Sequence, residues 1–238
     1  MEIIILAGGL GTRLRSEVKD VPKCMAPVAG KPFLWYLLTY LKRYSVSRVV
    51  LSVGYLREVI KDWIAENGSR FPYEIDYAVE EVPLGTGGGI RLALDKCHDE
   101  NVLVLNGDTF FDVDLDGFMA VHESRPASIS IAMKSMRDFD RYGRVMVDDE
   151  SGCIERFCEK EPCAEGLING GVYAISRKRL DLTALPEKFS FEKEVLDPES
   201  ARGCVYGYVS DGYFIDIGIP EDYHKADREF PHLFDEQL

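Results

Sequence analysis

The chain has 238 residues, 46% of them hydrophobic, which is enough to bury one substantial core and gives a prior of one domain. Its 28 basic and 41 acidic residues leave a net charge of −13, which excludes a general nucleic-acid surface; a polyanionic ligand would need locally gathered cations or a divalent metal. No apolar run is long enough to span a membrane and no charged-then-apolar leader precedes Ile3, so the expectation is a cytoplasmic protein without a membrane partner.

Ile3-Ile4-Ile5-Leu6 reads as a fully buried parallel strand, and it empties into Ala7-Gly8-Gly9-Leu10-Gly11-Thr12-Arg13-Leu14. Glycines let backbone N–H groups approach an anion, and Arg13 can fork two hydrogen bonds onto phosphate oxygens. Two large phosphate-binding classes are excluded. A Walker A loop needs Gly-Lys-Ser/Thr where Gly11-Thr12-Arg13 stands, and the dinucleotide fingerprint needs a glycine where Leu14 stands. Next comes Lys23, bracketed by Pro22 and Pro27 and so kept out of any helix.

A helix is predicted from Pro32-Phe33 to about Tyr44, with Leu34, Leu37, Leu38 and Leu41 as its apolar stripe. A strand at 49–53, a helix at 56–65 closed by Asn67-Gly68, and an alternating strand at 73–79 follow. Pro83 to Gly89 is a second glycine-rich turn, leading into a helix at 87–94. The apolar strand 102–105 runs into Asn106-Gly107-Asp108, so a carboxylate stands just past a strand's carboxyl end, where open α/β sheets bind ligands. Alone, Asn-Gly-Asp is equally a turn; with the phosphate loop upstream, Asp108 becomes a metal-ligand candidate. Strand and helix alternating to residue 105 predict a doubly wound, mostly parallel sheet.

After residue 125 the pattern changes to closely spaced strands at 128–133, 144–147, 154–158 and 171–175, expected to form an antiparallel lobe continuous with the same sheet, and strands at 205–209 and 213–217 follow. A C-terminal helix starts at Pro220. The organisation is read as one domain over 1–238, with halves at 1–125 and 126–219 and a C-terminal helix at 220–238. The six cysteines contain no Cys-x-x-Cys and are read as reduced thiols.

Gly8-Gly9-x-Gly11-Thr12-Arg13-Leu14 followed by Pro22-Lys23-x-x-x-Pro27 resembles the signature of the sugar-1-phosphate nucleotidyltransferases, and the resemblance extends to about Tyr223. It implies a Rossmann-like mixed sheet with a smaller antiparallel sugar-binding lobe, and transfer of a nucleotidyl group from a nucleoside triphosphate to a sugar 1-phosphate. Leu6, Ala7, Gly8, Gly9, Gly11, Thr12, Arg13, Gly85, Thr86 and Gly107 are implied to hold the nucleotide, with Arg13 and Lys23 catalytic. Mg2+ is implied on Asp108 and on Asp216, the latter in the family-like Asp216-Ile217-Gly218-Ile219-Pro220. Arg141-Tyr142-Gly143, Glu159-Lys160-Glu161-Pro162, Asn169-Gly170-Gly171 and Ser190-Phe191-Glu192-Lys193 resemble the sugar-side segments. They give Gly143, Glu159, Lys160, Asn169, Gly170 and Lys193 as implied sugar-phosphate contacts.

The base-reading position maps to Glu80, next to Glu81. Uracil and thymine suit an amide, whereas guanine offers two adjacent donors that suit a carboxylate, so Glu80 points to GTP. The short format and the Ser-Phe-Glu-Lys segment are similar to the D-glycero-α-D-manno-heptose 1-phosphate guanylyltransferase branch. Mannose 1-phosphate is the first competing sugar, and uridylyl or cytidylyl transfer to another sugar 1-phosphate a further alternative. A non-turnover nucleotide-sugar sensor would be expected to lose Arg13, Lys23 or a metal carboxylate, and all are present. Oligomeric state is not legible; a homo-oligomer is compatible with the sequence.

Overall fold

The computed structural model describes residues 1–9, 14, 17–18 and 20–234. Its elements in chain order are β1 (Glu2–Leu6), a small hairpin of β2 (Pro27–Val28) and β3 (Lys31–Pro32), α1 (Phe33–Leu41), β4 (Arg48–Val53), α2 (Arg57–Asn67), β5 (Glu74–Val79), α3 (Gly85–Leu94), β6 (Asn101–Asn106), β7 (Thr109–Phe111) and α4 (Leu115–Glu123). The second half adds β8 (Ile129–Phe139), β9 (Gly143–Val147), β10 (Ile154–Lys160), β11 (Cys163–Ser176), α5 (Asp197–Ala201), β12 (Val205–Ser210), β13 (Phe214–Asp216) and α6 (Pro220–Phe234).

Nine strands of the described residues form one mixed sheet in the order β10-β9-β11-β6-β1-β4-β5, with β8 on β11 and β12 on β8. The unbroken apolar runs occupy its centre because they are covered on both faces. Side chains alternate along a strand, so Ile3 and Ile5 join one core while Ile4 joins the other. Likewise Leu103 and Leu105 face the side of α1 and α6, and Val102 and Val104 face the side of α3. On the first side the leucines of α1 meet an aromatic cluster in which Phe230 packs against Phe33, Tyr36 and Phe110.

β1 pairs in parallel with both β4 and β6, which places Leu6 level with Ser52 and Asn106. Both loops that carry the candidate phosphate and metal residues therefore leave the same carboxyl edge. Gly107 N–H donates to the Leu6 carbonyl (3.0 Å), and a Cβ on Gly107 would lie 2.4 Å from that oxygen, so only glycine permits this approach.

The doubly wound, mixed α/β reading agrees with the structure, and β8 to β11 pair antiparallel as expected. Three details differ from that reading or add to it. β12 pairs parallel with β8, because pairing direction is set by the connection through α5 and is not written in the strand's own residues. The predicted strand at 213–217 is the short β13, which leaves the large sheet and pairs antiparallel with β7. The strand predicted at 171–175 is the end of a 14-residue β11 that starts at Cys163. No helix of the described residues is long and apolar enough to cross a membrane.

One buried group makes folding pH-sensitive. His122 on α4 is 1% exposed and its Nδ1 lies 2.8 Å from Ser130 Oγ on β8. Burial, helped by the charge of Arg179, lowers its pKa to about 4. The unfolded imidazole titrates near 6.5, so as pH falls through this window the unfolded chain takes up the proton first. The group therefore removes stability between about pH 6.5 and pH 4, on the order of 3 kcal/mol in total. Urea unfolding at pH 7 and pH 4.5 should show a smaller acid-induced loss in His122→Gln than in the wild type; equal losses would contradict the assignment.

Candidate active site

Asp108 and Asp216, distant in sequence, meet because β7 and β13 form a two-stranded ladder. Asp216 pairs with Thr109, and Ile217 N–H donates to the Asp108 carbonyl at 3.0 Å. Lys23, presented from the proline-bracketed turn, puts its Nζ 2.5 Å from Asp108 Oδ2 and 3.5 Å from Asp216 Oδ1. Two carboxylates share one ammonium, so the cluster keeps a net negative charge. Burial, then the neighbouring Asp108 charge, pushes the Asp216 carboxyl above the usual range, against the pull of Lys23 and the Gly218 N–H. Gly218 is close-packed here too: a Cβ would lie 2.9 Å from Asp216 Oδ1 and 3.1 Å from Lys23 Nζ.

Two cavities meet at this cluster. The first is lined by Leu6, Ala7, Gly9, Lys23, Thr86, Gly107 and Asp108, all predicted site residues, together with Asn106, Cys24 and Gly218. Cys24 there is a packing residue: burial, then the Asp108 charge, raises its thiol to about 12, so it is no nucleophile. The second cavity is bounded by Asp108 and Asp216 and by Gly143, Lys160, Asn169 and Gly170, again as predicted. Asn106, Asp108 and Gly218 belong to both, so the two cavities open onto one shared wall.

Local structure explains the second set. Gly143 and Lys160 are opposite one another in the β9–β10 ladder, and a Cβ on Gly143 would lie 2.4 Å from the Cys158 carbonyl. Asn169 and Gly170 sit at a register shift inside β11 rather than at a strand entry, and bulges of this kind re-aim side chains beside sites. The Asn169 amide is held there: its Oδ1 accepts from Gly171 N–H (2.9 Å) and its Nδ2 donates to Tyr173 OH (3.0 Å).

Glu80 stands beside the first cavity's loop. Its Oε1 accepts from Ser52 Oγ (3.2 Å) and its Oε2 from Leu84 N–H (3.0 Å). A Cβ added to Gly8 or to Gly89 would lie 2.9 Å from Oε1, so both positions are kept empty for this carboxylate. Glu81 turns to solvent and pairs with Arg57 at 2.9 Å. The structure thus separates the two adjacent glutamates, which the sequence does not.

Gly11, Thr12 and Arg13 lie outside the described residues. Glu159 and Lys193 are not among the residues that line the second cavity. Lys160 lines the cavity and Glu159 does not, and the β9–β10 pairing is irregular between Phe157 and Lys160. Instead Glu159 and Lys193 flank Asp197, whose carboxyl is raised by burial and then by Glu159, and lowered by Lys193. Gly85, with φ +73°, has its Cβ direction filled by the Phe189 carbonyl at 2.5 Å, so this glycine serves the 187–191 segment. The sequence reading also passed over Asn106, Arg141, Tyr173 and Glu192 as cavity residues. Each adjoins or lies close to a residue it did select, and only three-dimensional facing distinguishes them.

Residues 2–232, nearly the whole chain, match the family described as nucleotidyl transferase. The chain belongs to the nucleotidyl transferase family. This nucleotidyl transferase is 46% identical over 233 residues to the D-glycero-α-D-manno-heptose 1-phosphate guanylyltransferase of Aneurinibacillus thermoaerophilus, spanning 98% of this chain and 99% of the relative. It is 47% identical over 227 residues to the protein of the same name from Campylobacter jejuni, spanning 94% and 97%. Among solved structures, HddC from Yersinia pseudotuberculosis complexed with GMP-PN superposes with a TM-score of 0.85 at 37% identity, covering 96% of this chain and 99% of that one.

Proposed function

We propose that this nucleotidyl transferase carries out magnesium-dependent guanylyl transfer from GTP to a sugar 1-phosphate, D-glycero-α-D-manno-heptose 1-phosphate above others, releasing pyrophosphate. The observation that carries the reading is the junction itself: two cavities share a wall at Asp108, and Lys23 stands there between two carboxylates. The choice of guanine rests on the inward-turned Glu80, and the choice of heptose on the relatives' names.

In this reading the triphosphate lies over Ala7 to Gly9, Thr86 and Gly107, with Arg13 on its leaving phosphates. The sugar 1-phosphate lies along Gly143, Lys160, Asn169 and Gly170. A non-bridging oxygen of its phosphate attacks the α-phosphorus in line, the bond from that phosphorus to the bridging oxygen breaks, and pyrophosphate departs. The attacking phosphate monoester is already ionised at neutral pH, so no protein base or covalent intermediate is required. The protein's work is positioning and charge neutralisation. Lys23 holds the charge that develops between the two phosphates.

Asp108 and Asp216 are the residues that would hold magnesium. The donor set fits: magnesium takes hard oxygen ligands and is typically held by one or two carboxylates plus substrate phosphates. Among the described residues no group of three or more His, Cys, Asp or Glu forms a cage of its own, in keeping with an ion that is shared with substrate. When bound it supplies further neutralisation of phosphate charge.

Pyrophosphate release measured with GTP, a magnesium salt and a panel of sugar 1-phosphates tests the proposal. The heptose phosphate should give the highest kcat/KM and mannose 1-phosphate the next. A clear preference for glucose 1-phosphate would overturn the choice of sugar.

A further inference from the structure

The second cavity contains a third carboxylate. Asp108 and Asp216 are engaged by Lys23, but the side-chain carboxylate of Glu192, which lines the same cavity, has no hydrogen bond or ion pair among the described residues. It also lines an adjoining cavity between α3 and the 188–194 segment, so its carboxylate stands where the two join, with Asn106 and Tyr173 beside it in both.

We propose that Glu192 is a sugar-specificity residue, whose carboxylate accepts hydrogen bonds from ring or side-chain hydroxyls of the bound sugar 1-phosphate. An ionised carboxylate only accepts, and a sugar offers a row of hydroxyl donors, so the match is chemical as well as spatial. A free carboxylate in a cavity that must also take a phosphate is otherwise a liability, since it repels the anion. The cations that offset it in the cavity wall are Lys160 and Arg141.

The backbone around Glu192 is fixed from two sides. Upstream, the segment is clipped onto α3. Phe189 N–H donates to the Leu84 carbonyl (3.0 Å), Gly87 N–H to the Phe189 carbonyl (3.0 Å) and Phe191 N–H to Thr86 Oγ1 (2.9 Å). The glycines of α3 make the clip possible: a Cβ on Gly87 would lie 2.2 Å from the Phe189 ring. Downstream, residues Glu192–Leu196 form a single π turn, the irregularity that inserts one residue and re-aims side chains at functional sites. Phe191 sets its ring edge-on to Tyr173 at 5.4 Å, which ties the turn to the bulged part of β11. Thr86 lines the first cavity as well, so one residue anchors the sugar-side segment and borders the nucleotide site. A hydroxyl acceptor held this rigidly discriminates between sugars through the bonds an ill-fitting one leaves unmade.

The assignment rests on the guanylyl-transfer reading, and the test separates the two. Steady-state kinetics are run with GTP and either heptose 1-phosphate or mannose 1-phosphate on the wild type, Glu192→Gln, Glu192→Ala and the exposed surface variant Lys178→Ala. Loss of hydrogen bonds to a charged acceptor should raise the sugar-phosphate KM of Glu192→Ala by about tenfold or more, with Glu192→Gln between it and the wild type. The KM for GTP should stay within about twofold, Lys178→Ala should be near wild type, and the thermal midpoints should agree. An unchanged or lower sugar KM in Glu192→Ala, as relief of charge repulsion would give, overturns the assignment while the transfer reading stands. A wild type that releases no pyrophosphate with any sugar 1-phosphate overturns both.

Discussion

Replacing Lys23 with alanine is expected to lower kcat by about a hundredfold or more, the order of about 3 kcal/mol that one preorganised contact to developing charge contributes. The argument is geometric. Nζ is within 3.5 Å of the carboxylates of Asp108, in the turn after β6, and Asp216, at the end of β13, and Asp108 belongs to the wall that the two cavities share. Its side chain is 12% exposed, so its charge acts on the cluster with little solvent screening. A contact made in the transition state lowers kcat and kcat/KM together, whereas a contact made only to bound substrate raises KM alone. Steady-state rates on a variant whose circular dichroism matches the wild type decide between them. Removal of Lys23 also leaves Asp108 and Asp216 facing each other without their neutralising charge. Asp216, already pushed upward by burial and by Asp108, should then be easier to protonate, and the variant somewhat less stable at low ionic strength. Near-normal kcat would remove Lys23 from the chemistry.

The second large effect concerns the base. Glu80→Gln should lower kcat/KM for GTP by on the order of tenfold to a hundredfold, the worth of one hydrogen bond to a charged acceptor, and raise it for UTP or dTTP. Glu80 meets the requirement because its carboxylate is turned inward against Gly8 and Gly89, with one partner on each oxygen. Each oxygen keeps further acceptor capacity, enough to receive the two adjacent donors of guanine. Glutamine has one acceptor and brings a donor of its own to the same place. Glu81→Gln is the matched comparison: Glu81 is 74% exposed and paired with Arg57, and its replacement should leave nucleotide preference unaltered. Equal preference profiles for the two variants would detach the base choice from Glu80.

Much of this site was legible from residues alone, and the physical reason is local. A buried strand followed by glycines, a proline-bracketed lysine and a carboxylate at a strand's carboxyl end are short-range patterns, and Ala7, Gly9, Lys23, Gly107 and Asp108 duly line one cavity. What the sequence could not give was facing and pairing. The meeting of Asp108 with Asp216 depends on a three-residue ladder between β7 and β13, which no periodicity announces. Resemblance pointed to Lys193, whereas Glu192, in the π turn, is the residue that lines the cavity. Glu159 and Lys160 looked like one unit, yet only Lys160 lines the cavity, beyond an irregularity in the β9–β10 pairing. Of the α3 glycines, Gly85 and Gly87 have their Cβ directions filled by Phe189, and Gly89 by Glu80, contacts that no local pattern shows. The parallel pairing of β12 was hidden for the same reason, since the strand's residues carry no direction.

The central claim, that two substrates meet at Lys23, Asp108 and Asp216 and exchange a guanylyl group there, is tested most directly by one omission assay. Pyrophosphate is followed with the wild-type protein, magnesium, GTP and D-glycero-α-D-manno-heptose 1-phosphate, and again with either substrate left out. The account predicts pyrophosphate and GDP-heptose in equal amounts when both are present, and neither when one is missing. Pyrophosphate formed from GTP without the sugar phosphate, or no product with both, would contradict it.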